Sequence, residues 1–98
     1  MTMTNIYKFH VTKDNQDLGT AFSPGIVIVD NTVDTQQLNQ ELLSFFQEHF
    51  DSSLKAENIE QIEGADEHYE DPDGGGGGAV KYEHWKEYMV VNSTMINM

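Results

Sequence analysis

Between Glu57 and Asp73 the chain sets eight carboxylates (Glu57, Glu60, Glu63, Asp66, Glu67, Glu70, Asp71 and Asp73) in seventeen residues, with neither Lys nor Arg among them. Any fold must hold this run at the surface, since burying unpaired charge costs far more than a core returns. Gly74 to Gly78 follow directly after Asp71-Pro72-Asp73, a composition that reads as a flexible loop. Written as a helix, the acidic run carries one charge per roughly 3.2 Å of axis at the helical rise. A single DNA strand carries one per about 3.4 Å. The match suggests a surface that stands in for a nucleic acid and occupies a protein that binds one.

The remaining composition sharpens this idea. Ninety-eight residues make one domain with one modest core. The net charge is −12, from 17 acids against five Lys and no Arg. A globule of this length is about 32 Å across, a span in which duplex DNA carries on the order of 19 charges. Without the bidentate fork of Arg the chain is poorly equipped to hold phosphate, so direct nucleic-acid binding and docking to an anionic membrane are both disfavoured. There is no Cys for a disulfide, a thiolate metal site or a nucleophile. Met1 to Asn5 lacks the basic and apolar regions of a signal peptide, and no apolar run reaches membrane-spanning length. The expectation is a soluble, monomeric, cytoplasmic protein.

Along the chain, Tyr7, Phe9 and Val11 alternate with Lys8 and His10, the pattern of a half-buried strand over residues 5–11. Lys13 to Gly19 reads as a turn or loop. Phe22 to Val29 is a second strand, with β-branched Ile26 to Val29 covered on both faces. Asp34 is an N-cap with Gln37 completing a capping box. The helix that follows, to about Phe50, carries Leu38, Leu42, Phe45 and Phe46 in one stripe bordered by His49. Ser52 or Ser53 then caps a shorter helix to about residue 63, with Leu54, Ile59 and Ile62 on one side and acids on the other. Tyr82, Trp85 and Met89 suit a helical face while Val80, Tyr82 and His84 suit a strand, which leaves Lys81 to Glu87 open. Tyr88 to Asn92 reads as a strand, and the tail from Ser93 as a possible addition to the sheet.

The residues bear on four kinds of chemistry. Placing Gly74 at position 6 of a calcium loop puts Asp71 and Asp73 at positions 3 and 5, but Tyr69 and Val80 fall on the decisive positions 1 and 12. The glycine run lacks the Lys of a phosphate loop and has acids where a nest needs positive charge. Four His (His10, His49, His68, His84) occur with no G-x-S-x-G or H-E-x-x-H pattern, so no enzyme and no cofactor is expected. What remains is an acidic decoy whose carboxylates engage the Lys and Arg of a nucleic-acid binder. A divalent-cation binder, and a decoy of some other basic transcription factor or nuclease, are the alternatives.

The opening TNIYKFHVTKDNQDLG, the stretch EQIEGADEHYEDPD and the pentaglycine together resemble the small phage-type anti-CRISPR proteins directed against type I-F systems, the kind described as DNA mimics. The resemblance covers essentially all 98 residues and rests on the running text, since these proteins share no short motif. It implies binding to the crRNA-guided surveillance complex (Csy, or Cascade), where the large and Cas5-like subunits grip duplex DNA near the PAM, inside the host bacterial cell. It assigns no individual contact. On charge clustering the partner-binding residues are the eight carboxylates above, joined by Asp30 and Asp34. The expected fold is α+β, a small antiparallel sheet packed against one long amphipathic helix, with a second short acidic helix and a Gly-rich loop.

Overall fold

The fold is a computed structural model that describes residues 3–18, 24–50, 53–70 and 78–96, and in it one strand, β1 (Thr4–Lys13), organises the sheet. Asp14 and Asn15 both take positive φ, as a two-residue turn of the right twist demands, and lead into β2 (Gln16–Asp17). β3 (Gly25–Asp30) pairs antiparallel with β1 over Thr4 to Phe9. β4 (Leu54–Gln61) pairs antiparallel with Tyr7 to Lys13. Tyr7 and Lys8 thus pair with β3 and β4 at once, so these two strands lie on opposite edges of β1. Thr12 places β2 on the β3 side by the same reasoning. β5 (Val80–Lys81) adds to β3 in parallel, which makes the sheet mixed and not antiparallel as the sequence suggested.

Helix α1 (Thr35–His49) begins where expected. The Asp34 carboxylate accepts a 2.8 Å hydrogen bond from the Gln37 amide, and Leu38, Leu42, Phe45 and Phe46 are buried. They pack on Tyr7, Phe9, Val11, Val27, Val29 and Leu54, so one face of the sheet is the core. The Tyr7 hydroxyl donates to the Val33 carbonyl at 2.8 Å, which ties the entry of α1 to the sheet. Helix α2 (Tyr82–Val91) covers the same face and buries Tyr82, Trp85 and Met89. A single turn, α3 (Ser93–Ile96), follows.

Three elements differ from the sequence expectation. Tyr88 to Asn92 is not a strand, and Lys81 to Glu87 is mostly helix. The β-branched Val90 and Val91 that argued for a strand are exposed, while the 3- and 4-residue spacing of Tyr82, Trp85 and Met89 does the burying. Nor do Ser93 to Ile96 join the sheet, for they are helical. The supposed acidic helix is strand β4. As a helix to about residue 63 it would set Glu57–Glu60 and Glu60–Glu63 side by side, each like-charge pair costing about 0.2–0.5 kcal/mol. As a strand it satisfies the second edge of β1 and sets Glu57 opposite His10 and Glu60 opposite Lys8. Between these pairs one β1 residue, Phe9, faces two of β4, Asn58 and Ile59, a bulge absorbed at Asn58 (φ 58°), one of the few side chains that tolerate left-handed backbone.

Gly25 stands opposite Phe9 in the ladder, beneath the edge-to-face pair of Phe9 and Trp85 (centroids 5.1 Å, 85°). A Cβ there would lie 2.9 Å from two Phe9 ring carbons and 3.2 Å from Trp85 Nε1. Both rings are locked in the core, so Gly25→Ala is expected to cost about 1–3 kcal/mol in urea unfolding. A loss below about 0.5 kcal/mol, the noise of a surface change, would contradict this packing.

Candidate acidic interface

The site is built by the crossing from β4 to β5. Ile62 N–H donates to the Ile6 carbonyl at 2.8 Å, which continues the β4 ladder along one edge of β1. Ala65 N–H then reaches the Ile62 carbonyl, and Asp66 makes a local turn with its carboxylate accepting from the His68 amide at 2.9 Å. Ala79 N–H donates to the Tyr69 carbonyl at 3.0 Å and Glu70 bridges Gly78, two residues before β5 on the far edge of the sheet. Residues 62–70 therefore span from one edge of the sheet to the other. The four strands crossed, β4-β1-β3-β5, cover about 14 Å at the usual strand spacing.

This crossing gathers the predicted acids into one ribbon. Glu57 and Glu60 are exposed on β4, paired across to His10 and Lys8, on the face away from α1 and α2. Glu63, Asp66, Glu67 and Glu70 continue it across the sheet, all exposed. His68, also exposed, is the one basic side chain within the described ribbon, with Nε2 3.6 Å from Glu67 Oε1. Asp71 and Asp73 lie outside the described residues. So does most of the predicted glycine loop, but Gly78 is anchored by its bridge to Glu70.

Asp30 and Asp34 stand differently. Asp30 closes β3 opposite Thr4, and Asn5 connects this end of the sheet to the ribbon by donating to the Asn31 carbonyl and accepting from Gln61 Nε2, each at 3.3 Å. Asp30 itself is exposed at this end of the sheet and lines a hollow beside Lys81 and Tyr82. Asp34 already spends one oxygen on the α1 cap, where the helix dipole also favours its charge.

The strand geometry changes the electrostatic comparison. Glu57 and Glu60 are about 10 Å apart along an extended strand, so the linear match computed for a helix does not hold. The molecule measures 40 × 26 × 22 Å, and duplex DNA 40 Å long carries about 24 charges, twice the −12 of this chain. The likeness to DNA is one of a charged surface, not of a charged line. On the same exposed face His10 Nδ1 lies 2.8 Å from Asp17 Oδ2, a pairing across the β1–β2 hairpin that sequence reading did not anticipate. Register alone brings them together, since Thr12 faces Asp17 and His10 lies two residues back on the same face.

A second acidic surface was missed altogether. Glu41 and Glu48 of α1 face Glu83 and Glu87 of α2 across a groove of about 890 Å³. Their spacing in sequence gave no hint, because only the docking of α2 beside α1 unites them. At its edge the Tyr82 hydroxyl is buried without a hydrogen-bond partner, and burial, then Glu41, then Glu83 push its pKa well above the ordinary phenol value. The unfolded chain therefore releases this proton near pH 10 while the folded chain keeps it. Stability from this group is whole below pH 10 and falls as pH rises above it. In urea titrations between pH 9 and 11.5, wild type should lose stability faster than Tyr82→Phe, and equal slopes would contradict the environment described.

Among the described residues no three His, Asp or Glu side chains converge to hold a metal ion, and no helix is long and apolar enough to cross a membrane. Comparison of the chain with protein-family models, with curated proteins and with solved structures returned no match.

Proposed function

We propose that this chain is an anti-CRISPR inhibitor that binds the type I-F Csy surveillance complex as a DNA mimic and blocks target duplex binding near the PAM-recognition site. The observation that carries the reading is the exposed ribbon from Glu57 to Glu70, six carboxylates drawn from edge to edge of the sheet with a single His among them. Proteins that hold duplex DNA do so mainly through Lys and Arg on phosphate, and carboxylates reach the same groups by charge-assisted hydrogen bonds. Effectors of this kind read the PAM as duplex through protein side chains before guide pairing begins. A body about 22–26 Å in its two shorter dimensions, lodged between the large and Cas5-like subunits, stops recognition at that step without any bond being broken.

The rigid sheet supports specificity. Carboxylates alone attract any basic surface, whereas the ladder fixes Glu57 and Glu60 in register and the Tyr69–Ala79 closure fixes the far end. The test is retention of a PAM-bearing duplex by purified Csy complex. Adding the chain in slight molar excess is expected to abolish duplex binding, while a scrambled-sequence control of equal charge leaves it intact. Duplex binding unaffected by the chain overturns the proposal.

A further inference from the structure

The groove between α1 and α2 lies on the helical side of the sheet, opposite the face that carries Glu57 and Glu60. Its rim holds Glu41, Glu48, Glu83 and Glu87 against one ammonium, Lys86. That ammonium is engaged within the groove, with Nζ 3.2 Å from Glu83 Oε1 and 4.6 Å above the Tyr82 ring. Its lining mixes Gln37, Gln40, Ser44 and His49 with apolar side chains. Phe45 lies at its base, and Val90 and Val91 open onto it with 40% and 79% of their surface exposed.

Tyr82 is the second, independent observation. It is 9% exposed, its hydroxyl has no partner, and burying such a group unpaired is costly. A smaller hollow of about 440 Å³ near Asp30 and Lys81 adjoins the groove, and Glu41, Tyr82 and Glu83 line both. Two carboxylates and an unsatisfied hydroxyl therefore meet at one junction, a set that suits a guanidinium, which offers five donors in a planar fork.

We infer that the α1–α2 groove docks an arginine-bearing amphipathic helix of a partner protein, with one guanidinium seated at the junction of Glu41, Tyr82 and Glu83. The apolar side of that helix lies on Phe45, Val90 and Val91, and its basic side meets the glutamate rim. Ten residues of α2 give a groove about 15 Å long, room for some three turns of the incoming helix. A second copy of this chain is the wrong occupant, because it brings a net −12 and no Arg to a rim that is already acidic.

The probe is a fluorescein-labelled 14-residue synthetic helix with Leu along one face and Arg along the other, followed by anisotropy at 150 mM NaCl. A peptide of the same composition, scrambled to destroy the apolar face, is the comparison. The amphipathic peptide is expected to bind at least tenfold tighter than the scrambled one. Glu41→Gln with Glu83→Gln should weaken it about tenfold or more, as loss of charge-assisted hydrogen bonds does. Tyr82→Phe, which removes a buried unpaired hydroxyl and leaves packing intact, should weaken it severalfold with an unchanged circular dichroism spectrum. Glu57→Gln with Glu60→Gln, on the other face, should change nothing. Equal binding of the two peptides overturns the inference, as does equal weakening by the two glutamate pairs. Sedimentation showing the groove closed by a second copy of the chain overturns it as well. The Csy complex enters none of these measurements, so their failure leaves the anti-CRISPR reading to its own test.

Discussion

Replacing Glu57, Glu60, Glu63 and Asp66 together by Lys is expected to abolish inhibition of the Csy complex, with affinity falling at least about 100-fold, since close charge pairs across an interface couple by roughly 1.5–7 kcal/mol each. The fold should survive. The same substitutions cost it the pairs with His10 and Lys8, worth about 0.2–1 kcal/mol each when exposed, and the Asp66 hydrogen bond from the His68 amide, worth about 0.5–1.5 kcal/mol. The two effects differ by enough that circular dichroism and unfolding midpoints can certify the variant as folded before its binding is read. Reversal of Glu41, Glu48, Glu83 and Glu87 together, in the other acidic groove, changes the net charge by the same amount and should leave inhibition nearly intact. Loss of inhibition in both variants would mean that bulk charge, and not the ribbon, does the work.

Trp85→Ala is expected to be the most damaging single core substitution. The indole meets Phe9 edge-on at 5.1 Å, stacks on Tyr82 at 6.1 Å, and touches the Phe45 and Phe46 rings at 6.0 and 6.4 Å, so it joins both helices to β1. Truncating a buried aromatic of this size costs about 3–5 kcal/mol, against about 5–15 kcal/mol of total stability for a chain of this length. The melting temperature should drop by on the order of 15–30 °C, read by circular dichroism because the substitution removes the chain's only tryptophan. A drop under 5 °C would show that the α2–sheet junction is not part of the cooperative core.

How far the fold could be read from the sequence depended on whether local signals agreed with tertiary ones. In α1 the cap at Asp34, the stripe from Leu38 to Phe46 and helical propensity all pointed one way, and the helix starts at Thr35 as expected. The Tyr7–Phe9–Val11 alternation gave β1 for the same reason. Around Ser53 the signals conflicted. A plausible cap and a helical wheel of Leu54, Ile59 and Ile62 competed with the unpaired edge of β1, and that edge is a long-range feature invisible to any window. Asn58 hid the strand further, because its bulge shifts the alternation by one residue. At Tyr88 to Val91, β-branched residues suggested a strand, yet the residues that bury were spaced for a helix.

The candidate interface was half legible. Local clustering identified Glu57 to Glu70, since a run of acids without Lys is visible in the text. Its laying-out across four strands depended on β5 adding in parallel to β3, which two residues of strand cannot announce. The α1–α2 groove was illegible, for its four glutamates come from helices more than thirty residues apart in sequence.

Competition between this chain and target duplex for the same Csy complex tests the central claim most directly. If the acidic ribbon fills the seat of the PAM duplex, the concentration of chain needed for half-inhibition rises in proportion to the duplex present, and binding of the chain weakens steeply as salt is raised from 50 to 200 mM. A ternary complex holding chain and duplex together, with half-inhibition independent of duplex concentration, would contradict it.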